Sequence, residues 1–304
     1  MKILVIGGSY FLGRVFTMLA SERYEVTVLN RGTYSMEAFG VKCIAADRHD
    51  EGRLEEVLQK AWDVVVDFCA YRQGDIAVLL SHFLTLPKQY VFISTADVYR
   101  KWTGKVLDEN APLDDRHFSG DNGEYIWQKI LLEKELKSVC QEKEIAYTSV
   151  RPAVLYGPFN YAQREAVYVQ MACMGQEIIC PTGCAGRFQP VYVKDAAAMI
   201  LSLCKNPKAY DTAYNLAAEA VDYEKFLEAF VKASGGRAKL RRAGQGDPCL
   251  ASPETFLPFA LTEEETEIYS GEKIVRDTGL LWTPLESGLQ KTWNVFSKLY
   301  QPEQ

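Results

Sequence analysis

Six short apolar runs in the first half of the chain are continuous rather than alternating, and this restricts the fold more than any other feature. They fall at residues 3–6, 26–29, 43–46, 64–67, 90–94 and 148–151. A strand with one wet face carries a polar residue at every second position, whereas a strand covered on both faces does not. Between the runs lie segments of helical period at 12–21, 53–60, 76–84 and 125–140. Parallel neighbours need a crossover connection, and a helix supplies it. The pattern predicts an α/β fold, a doubly wound parallel sheet with helices on both faces. In such sheets ligands bind beyond the carboxyl ends of the strands, so the residues just after each run are the ones to read for chemistry.

After Arg151 the pattern changes. Turn-rich segments such as Gly157-Pro158 and Pro181-Thr182-Gly183 mix with aromatic residues and helical stretches at 165–174 and 223–233. A helix at 191–204 and a strand at 212–216 read as a return to the sheet. With 304 residues there is room for a large nucleotide-binding domain and a smaller companion. We expect residues 1–155, completed by about 188–216, to form the first. Residues 156–187 and 217–304 are expected to form a smaller, mixed α/β lobe facing the substrate.

The composition is that of an ordinary globular protein, 48% hydrophobic and 24% charged. A formal charge of −6 disfavours nucleic acid as the main partner, because phosphate-gripping proteins are usually basic. The eight cysteines are scattered with no C-x-x-C pair, and only three histidines exist, so no metal site is expected. The first apolar run is shorter than the ~7–15 residues of an export segment. No stretch approaches the ~20 apolar residues of a membrane span. A cytoplasmic protein with reduced thiols is the expectation.

The first run leads directly into Gly7-Gly8-Ser9-Tyr10-Phe11-Leu12-Gly13 and then a helix. This is where a dinucleotide-binding (Rossmann) fold places its glycine turn, with backbone amides and a helix N-terminus facing pyrophosphate. The middle glycine of the three-glycine pattern is Tyr10, which either leans aside or narrows the site. After the second run stand Asn30 and Arg31. An acidic residue there would bind ribose hydroxyls and repel a 2′-phosphate; Asn30 removes the repulsion, and Arg31 can pair with the phosphate. The choice between NAD and NADP therefore tilts toward NADP, the alternative being a solvated arginine. Asp47 and Arg48 follow the third run, where a carboxylate can accept the adenine amino group.

Tyr125 and Lys129 lie four apart on a helical segment and so share one face. A free tyrosine titrates near 10. A neighbouring ammonium and a positively charged nicotinamide favour the phenolate, which would let Tyr125 move a proton while the cofactor exchanges a hydride. Chance also produces this spacing, and the chain has a second pair in Tyr269 and Lys273. Position separates them: Tyr125 follows the hydroxyl-bearing strand end Phe92-Ile93-Ser94-Thr95-Ala96-Asp97, while Gly271 interrupts the second pair.

Together these motifs resemble the extended short-chain dehydrogenases, the NAD-dependent epimerase/dehydratases. The resemblance also takes in Arg151-Pro152-Ala153-Val154-Leu155-Tyr156-Gly157-Pro158, Arg187-Phe188-Gln189-Pro190-Val191-Tyr192-Val193-Lys194-Asp195 and the closing stretch from Pro284 to Leu289. It implies Thr95 as hydrogen-bond donor to the reacting oxygen, Tyr125 as acid/base and Lys129 on the nicotinamide ribose. It adds Ala70, Pro152 and Val154 to the cofactor's surroundings, puts Arg187 on a substrate pyrophosphate, and implies a homodimer paired through the Tyr-Lys helix and the helix before it. Asp97 matches the second of two acidic residues that sugar-nucleotide dehydratases carry there, while Ala96 leaves the first place empty. This favours epimerisation over dehydration; the alternative is a polar turn residue. The form of the glycine turn resembles an atypical branch that includes the chloroplast stem-loop-binding proteins.

Three readings follow. The first is an NAD(P)-dependent oxidoreductase or isomerase working on a hydroxyl/keto centre of a small molecule, a nucleotide sugar. The second is a non-catalytic NADP-binding regulator or RNA-binding protein on the same fold. The third is an NADPH reductase of a small carbonyl compound.

Overall fold

The computed structural model describes residues 1–101 and 104–300. The chain opens with β1 (Lys2–Ile6), β2 (Glu25–Asn30), β3 (Lys42–Ala45), β4 (Val64–Asp67) and β5 (Gln89–Ile93). A short β6 (Val106–Leu107) precedes β7 (Ala146–Pro152), and β8 (Val154–Tyr156), β9 (Glu177–Thr182) and β10 (Pro190–Tyr192) follow. β11 (Thr212–Leu216), β12 (Lys239–Gly244) and β13 (Ile268–Tyr269) complete the strands. Seven of these form one sheet in the order β11-β7-β5-β4-β1-β2-β3. Every pairing in it is parallel, as the unbroken apolar runs require. The remaining strands pair two by two: β10 with β8, β12 with β9, and β13 with β6. The main sheet grows outward from β1 to β3, then restarts on the other side at β4. That reversal opens a crevice between the ends of β1 and β4.

Period two sorts the strand residues between two cores. In β1, Ile3 and Val5 enter the core formed with α1 (Phe11–Ser21) and, far along the chain, α6 (Val193–Leu203). Leu4 and Ile6 face the opposite core, built with α2 (Glu51–Leu58), α3 (Asp75–Ser81) and α4 (Asp121–Glu142). A third cluster gathers α5 (Glu165–Cys173), α7 (Tyr223–Ala233) and α9 (Leu285–Phe296) around Tyr168, Phe226, Phe230 and Trp293. Asp222 caps α7 by accepting the Lys225 amide at 2.8 Å, and Phe188 stacks on Phe259 with centroids 4.0 Å apart. The short α8 (Glu272–Thr278) packs on the first core through Ile274.

α4 begins at Asp121, so Tyr125 stands in its second turn rather than at its opening. Asp121 and Glu124 occupy the first turn, where carboxylates complement the helix dipole. The body of α4 carries a buried charged pair: Glu133 accepts from Arg151 Nε at 2.9 Å and from Nη2 at 2.5 Å. Arg151 Nη1 reaches the Tyr99 hydroxyl at 2.6 Å, which in turn donates to Asn215 Oδ1 at 2.6 Å. This chain of bonds ties α4 to β7 and β11. Arg151→Met strands the buried Glu133 carboxylate and should cost about 3 kcal/mol of stability in urea unfolding. A loss under about 1 kcal/mol would show the network to be incidental.

Candidate active-site cleft

Gly7 follows β1 at φ +80°, a backbone conformation that side chains disfavour, and a Cβ there would lie 2.8 Å from Cys69 Sγ. The Gly7 amide bonds to the Leu29 carbonyl at 2.8 Å, fixing the turn to the end of β2. Gly13 lets α1 settle on the turn, since its Cβ would meet Gly8 Cα at 3.1 Å. Tyr10 is the residue before α1, in extended conformation with its side chain half exposed. Its ring leans away and stands edge-on to Tyr34, with centroids 4.7 Å apart. Tyr10 thus forms part of the rim and does not plug the turn.

A cleft of about 1090 Å³ runs from this turn to α4. Gly7, Ser9, Tyr10, Phe11, Leu12 and Gly13 line one end; Thr95, Asp97, Tyr125, Lys129 and Pro152 line the other. Asn30, Arg31, Asp47 and Arg48 also reach it. Four expected residues are not among its lining: Gly8, Ala70, Val154 and Arg187. Gly8 lies under the turn, its carbonyl accepting from Thr17, and Val154 pairs with Pro190 in the small β8–β10 sheet. Arg187 is exposed, donating from Nη2 to the Ala220 carbonyl at 3.1 Å and from its amide to Thr266 Oγ1 at 2.9 Å. Ser94, Tyr71, Arg72, Tyr161 and Arg164 line the cleft without having been read from the sequence as site residues. Tyr71 and Arg72 follow β4 and were open to the rule about strand ends. Tyr161 and Arg164 come from a loop whose placement depends on distant contacts.

At the β2 end, Asn30 serves the local turn: its Oδ1 accepts the Gly32 amide at 2.8 Å and its Nδ2 donates to the Tyr34 carbonyl at 3.0 Å. Arg31 is exposed, with no carboxylate partner among the described residues. Asp47 accepts the His49 amide at 3.0 Å. Arg48 departs from the expected role. Its guanidinium turns inward to grip the fully buried Asp67 at 2.8 and 3.2 Å, and donates to the Asp75 carbonyl at 2.9 Å. Asp67 also accepts from the Tyr90 hydroxyl at 2.5 Å. Burial by itself would raise the Asp67 carboxyl; Arg48 and Tyr90 outweigh it and hold the group below the usual range.

Around the reaction centre, Lys129 is 2% exposed, and its ammonium donates to the Ala70 and Ile93 carbonyls, each at 2.9 Å. Burial brings it down from 10.5 to about 8. The ammonium sits 5.7 Å from the centre of the Tyr125 ring. The Tyr125 phenol is pushed up by burial first and by the Asp97 carboxylate next. In the unliganded protein the Lys129 ammonium, turned to two carbonyls, does not bring the phenol below its ordinary value. Thr95 donates from Oγ1 to Asp97 Oδ2 at 2.7 Å and accepts the Asp97 amide at 3.3 Å. The buried Ser94 hydroxyl beside it has no partner among the described residues. Lys273, of the second Tyr-Lys pair, instead donates to the Ala213 carbonyl at 2.8 Å and braces α8 on β11.

These shifts carry a sign that can be measured. Between about pH 8 and pH 10.5 the unfolded chain holds a proton on residue 129 that the folded chain has released. The contribution of residue 129 to stability rises with pH across that window, by at most about 1.4 kcal/mol per unit, while the buried thiols of Cys69, Cys140 and Cys204, which the fold keeps protonated, contribute with the opposite sign above about pH 9. Unfolding of Lys129→Met over the same range should show a slope smaller by one proton; an identical slope would mean the ammonium is not depressed.

Residues 77–217 match the model of the NAD-dependent epimerase/dehydratase family. The family description is one of enzymes. The segment includes Thr95, Tyr125 and Lys129 and begins after the glycine turn. A chloroplast stem-loop binding protein of 41 kDa from Arabidopsis thaliana is 28% identical over 253 residues, covering 77% of this chain and 63% of that protein. The chain thus matches less than two thirds of that relative's length.

Two solved structures show the same fold. A dTDP-glucose 4,6-dehydratase from Bacillus anthracis in complex with NAD is 19% identical with a TM-score of 0.75, over 98% of this chain and 97% of that one. A UDP-N-acetylglucosamine 4-epimerase from Methanobrevibacter ruminantium is 17% identical with a TM-score of 0.77, over 98% of both. Among the described residues, no helix is long and apolar enough to cross a membrane.

Proposed function

We propose that this chain is a nicotinamide-dependent enzyme of the epimerase/dehydratase kind, acting on a hydroxyl or keto centre of a nucleotide sugar. One observation carries the reading: Tyr125, Lys129 and Thr95 line the same cleft as the glycine turn. The cleft fits a dinucleotide. Its glycines pack where side chains would collide, and its volume suits an extended ligand together with a second small molecule. Gly7, Ser9 and the α1 N-terminus would hold the pyrophosphate, with Arg31 near the adenosine end. A bound nicotinamide supplies the hydride acceptance and return that no side chain offers.

The chain's own residues supply the proton chemistry. Lys129 has three N–H donors and spends two on carbonyls, leaving one for a ribose hydroxyl. The phenol of Tyr125, raised by burial, starts protonated and needs added positive charge to become a base. Thr95 must leave Asp97 to donate to a substrate oxygen, and Asp97 then stands free to exchange a proton beside a keto group. NADP is favoured over NAD because Arg31 meets no carboxylate. The division into residues 1–155 with 188–216, against 156–187 and 217–304, draws support from an aromatic core centred on the second part, which also takes in Phe188 and Tyr192 of the returning segment. Pairing of two copies through α4 and α3 is what the family resemblance implies. An RNA-binding role draws support from the name of the Arabidopsis relative, and the charge of −6 opposes it.

Calorimetry with NAD and NADP tests the cofactor. NADP should bind, and Arg31→Ala should weaken it about tenfold while leaving NAD unchanged, the loss of one charged hydrogen bond. Failure of both dinucleotides to bind would defeat the enzyme reading. With a turned-over nucleotide sugar in hand, Tyr125→Phe should lower kcat by about 10²–10⁴ with cofactor affinity retained. Retained turnover would remove Tyr125 from the chemistry.

A further inference from the structure

We propose that Tyr161 and Tyr10 form an aromatic clasp across the cleft, and that its opening limits exchange of the dinucleotide. The proposal rests on the dinucleotide reading of the cleft. Tyr161 belongs to the loop after β8, on the wall opposite the glycine turn. Its ring stands edge-on to Tyr10 at 6.3 Å and to Phe11 at 6.2 Å, and all three residues line the cleft. Tyr10 in turn leans on Tyr34. A ring that served only the core would be buried, yet Tyr161 is 74% exposed. Its aromatic neighbours lie on the opposite wall, in edge-to-face geometry.

The loop is anchored at its base, so the rings at its tip make the contact across the cleft. Glu165, fully buried, accepts the Gly157 amide at 2.8 Å and holds Asn160 Nδ2 with both oxygens at 3.0 Å. Between these fixed points Phe159 adopts φ +68°, a left-handed conformation uncommon for a bulky residue. The Phe159 ring lies 4.8 Å from the Arg14 guanidinium of α1, whose buried Nε has no hydrogen-bond partner among the described residues. Ring contacts, rather than hydrogen bonds, therefore join the loop to the glycine turn, and they can part without leaving an unpaired donor. Tyr10, standing where the three-glycine pattern has glycine, gives the turn its half of the clasp.

Stopped-flow fluorescence with NADPH on the full chain tests this. Tyr161→Ala should speed both association and release about tenfold, equivalent to about 1.4 kcal/mol off each barrier, and leave Kd nearly unchanged. Tyr161→Phe should match the wild type, because the ring and not the hydroxyl makes the contact. Tyr10→Gly should reproduce Tyr161→Ala and serves if that variant folds poorly. Unchanged rates in variants that bind NADPH overturn the clasp alone. Faster release without faster association overturns it too, since the ring would then be touching the ligand directly. A wild type that binds no NADPH defeats the dinucleotide reading itself.

Discussion

A buried ammonium held by two backbone carbonyls organises the centre of this molecule. Lys129 reaches from α4 to the carbonyls of Ala70 and Ile93, residues just past β4 and at the end of β5. This joins the helix that carries Tyr125 to the carboxyl edge of the sheet, where the crevice opens. The carbonyls replace water as acceptors, and the field of Asp67 partly offsets the cost of burying the charge. The same engagement separates the lysine from the phenol. In the unliganded protein burial and the Asp97 carboxylate hold the Tyr125 phenol above its ordinary value.

Two buried ion pairs support this arrangement from either side. Arg48 and Asp67, with Tyr90, lock the start of the crevice; Arg151 and Glu133, with Tyr99 and Asn215, lock the far side of α4. Each pair is nearly dry, so each partner depends on the other. They fix the backbone on which Lys129, Thr95 and Tyr125 stand. The rim is left to exposed rings, which meet across the cleft.

The sheet was legible because burial on both faces leaves its mark on every residue of a strand. The return of 212–216 to the sheet edge could be read for the same reason. The pairing of Tyr125 with Lys129 was legible from position, since local spacing alone fitted Tyr269 and Lys273 equally well. The role of Arg48 was not legible: its partner Asp67 lies 19 residues away, and nothing local says that an arginine at a strand end turns inward. Arg187 matched a family motif, but its exposed side chain bonds to the Ala220 carbonyl outside the cleft, a placement decided by the packing of β10 and the chain before α7. Tyr161 escaped notice because only the anchoring of its loop by Glu165 brings it over the glycine turn. The start of α4 at Asp121 had a signal in Asp121 and Glu124, which the apolar pattern starting at Tyr125 masked.

The central claim is that a bound oxidised dinucleotide turns Tyr125 from a suppressed phenol into a usable base. Ultraviolet difference titration of phenolate measures this without any knowledge of the substrate, with Tyr125→Phe subtracted from the wild type to isolate one residue. The account predicts that saturating oxidised NADP moves the Tyr125 midpoint clearly downward from its unliganded value. A midpoint that stays where it was, with the cofactor demonstrably bound, would contradict it.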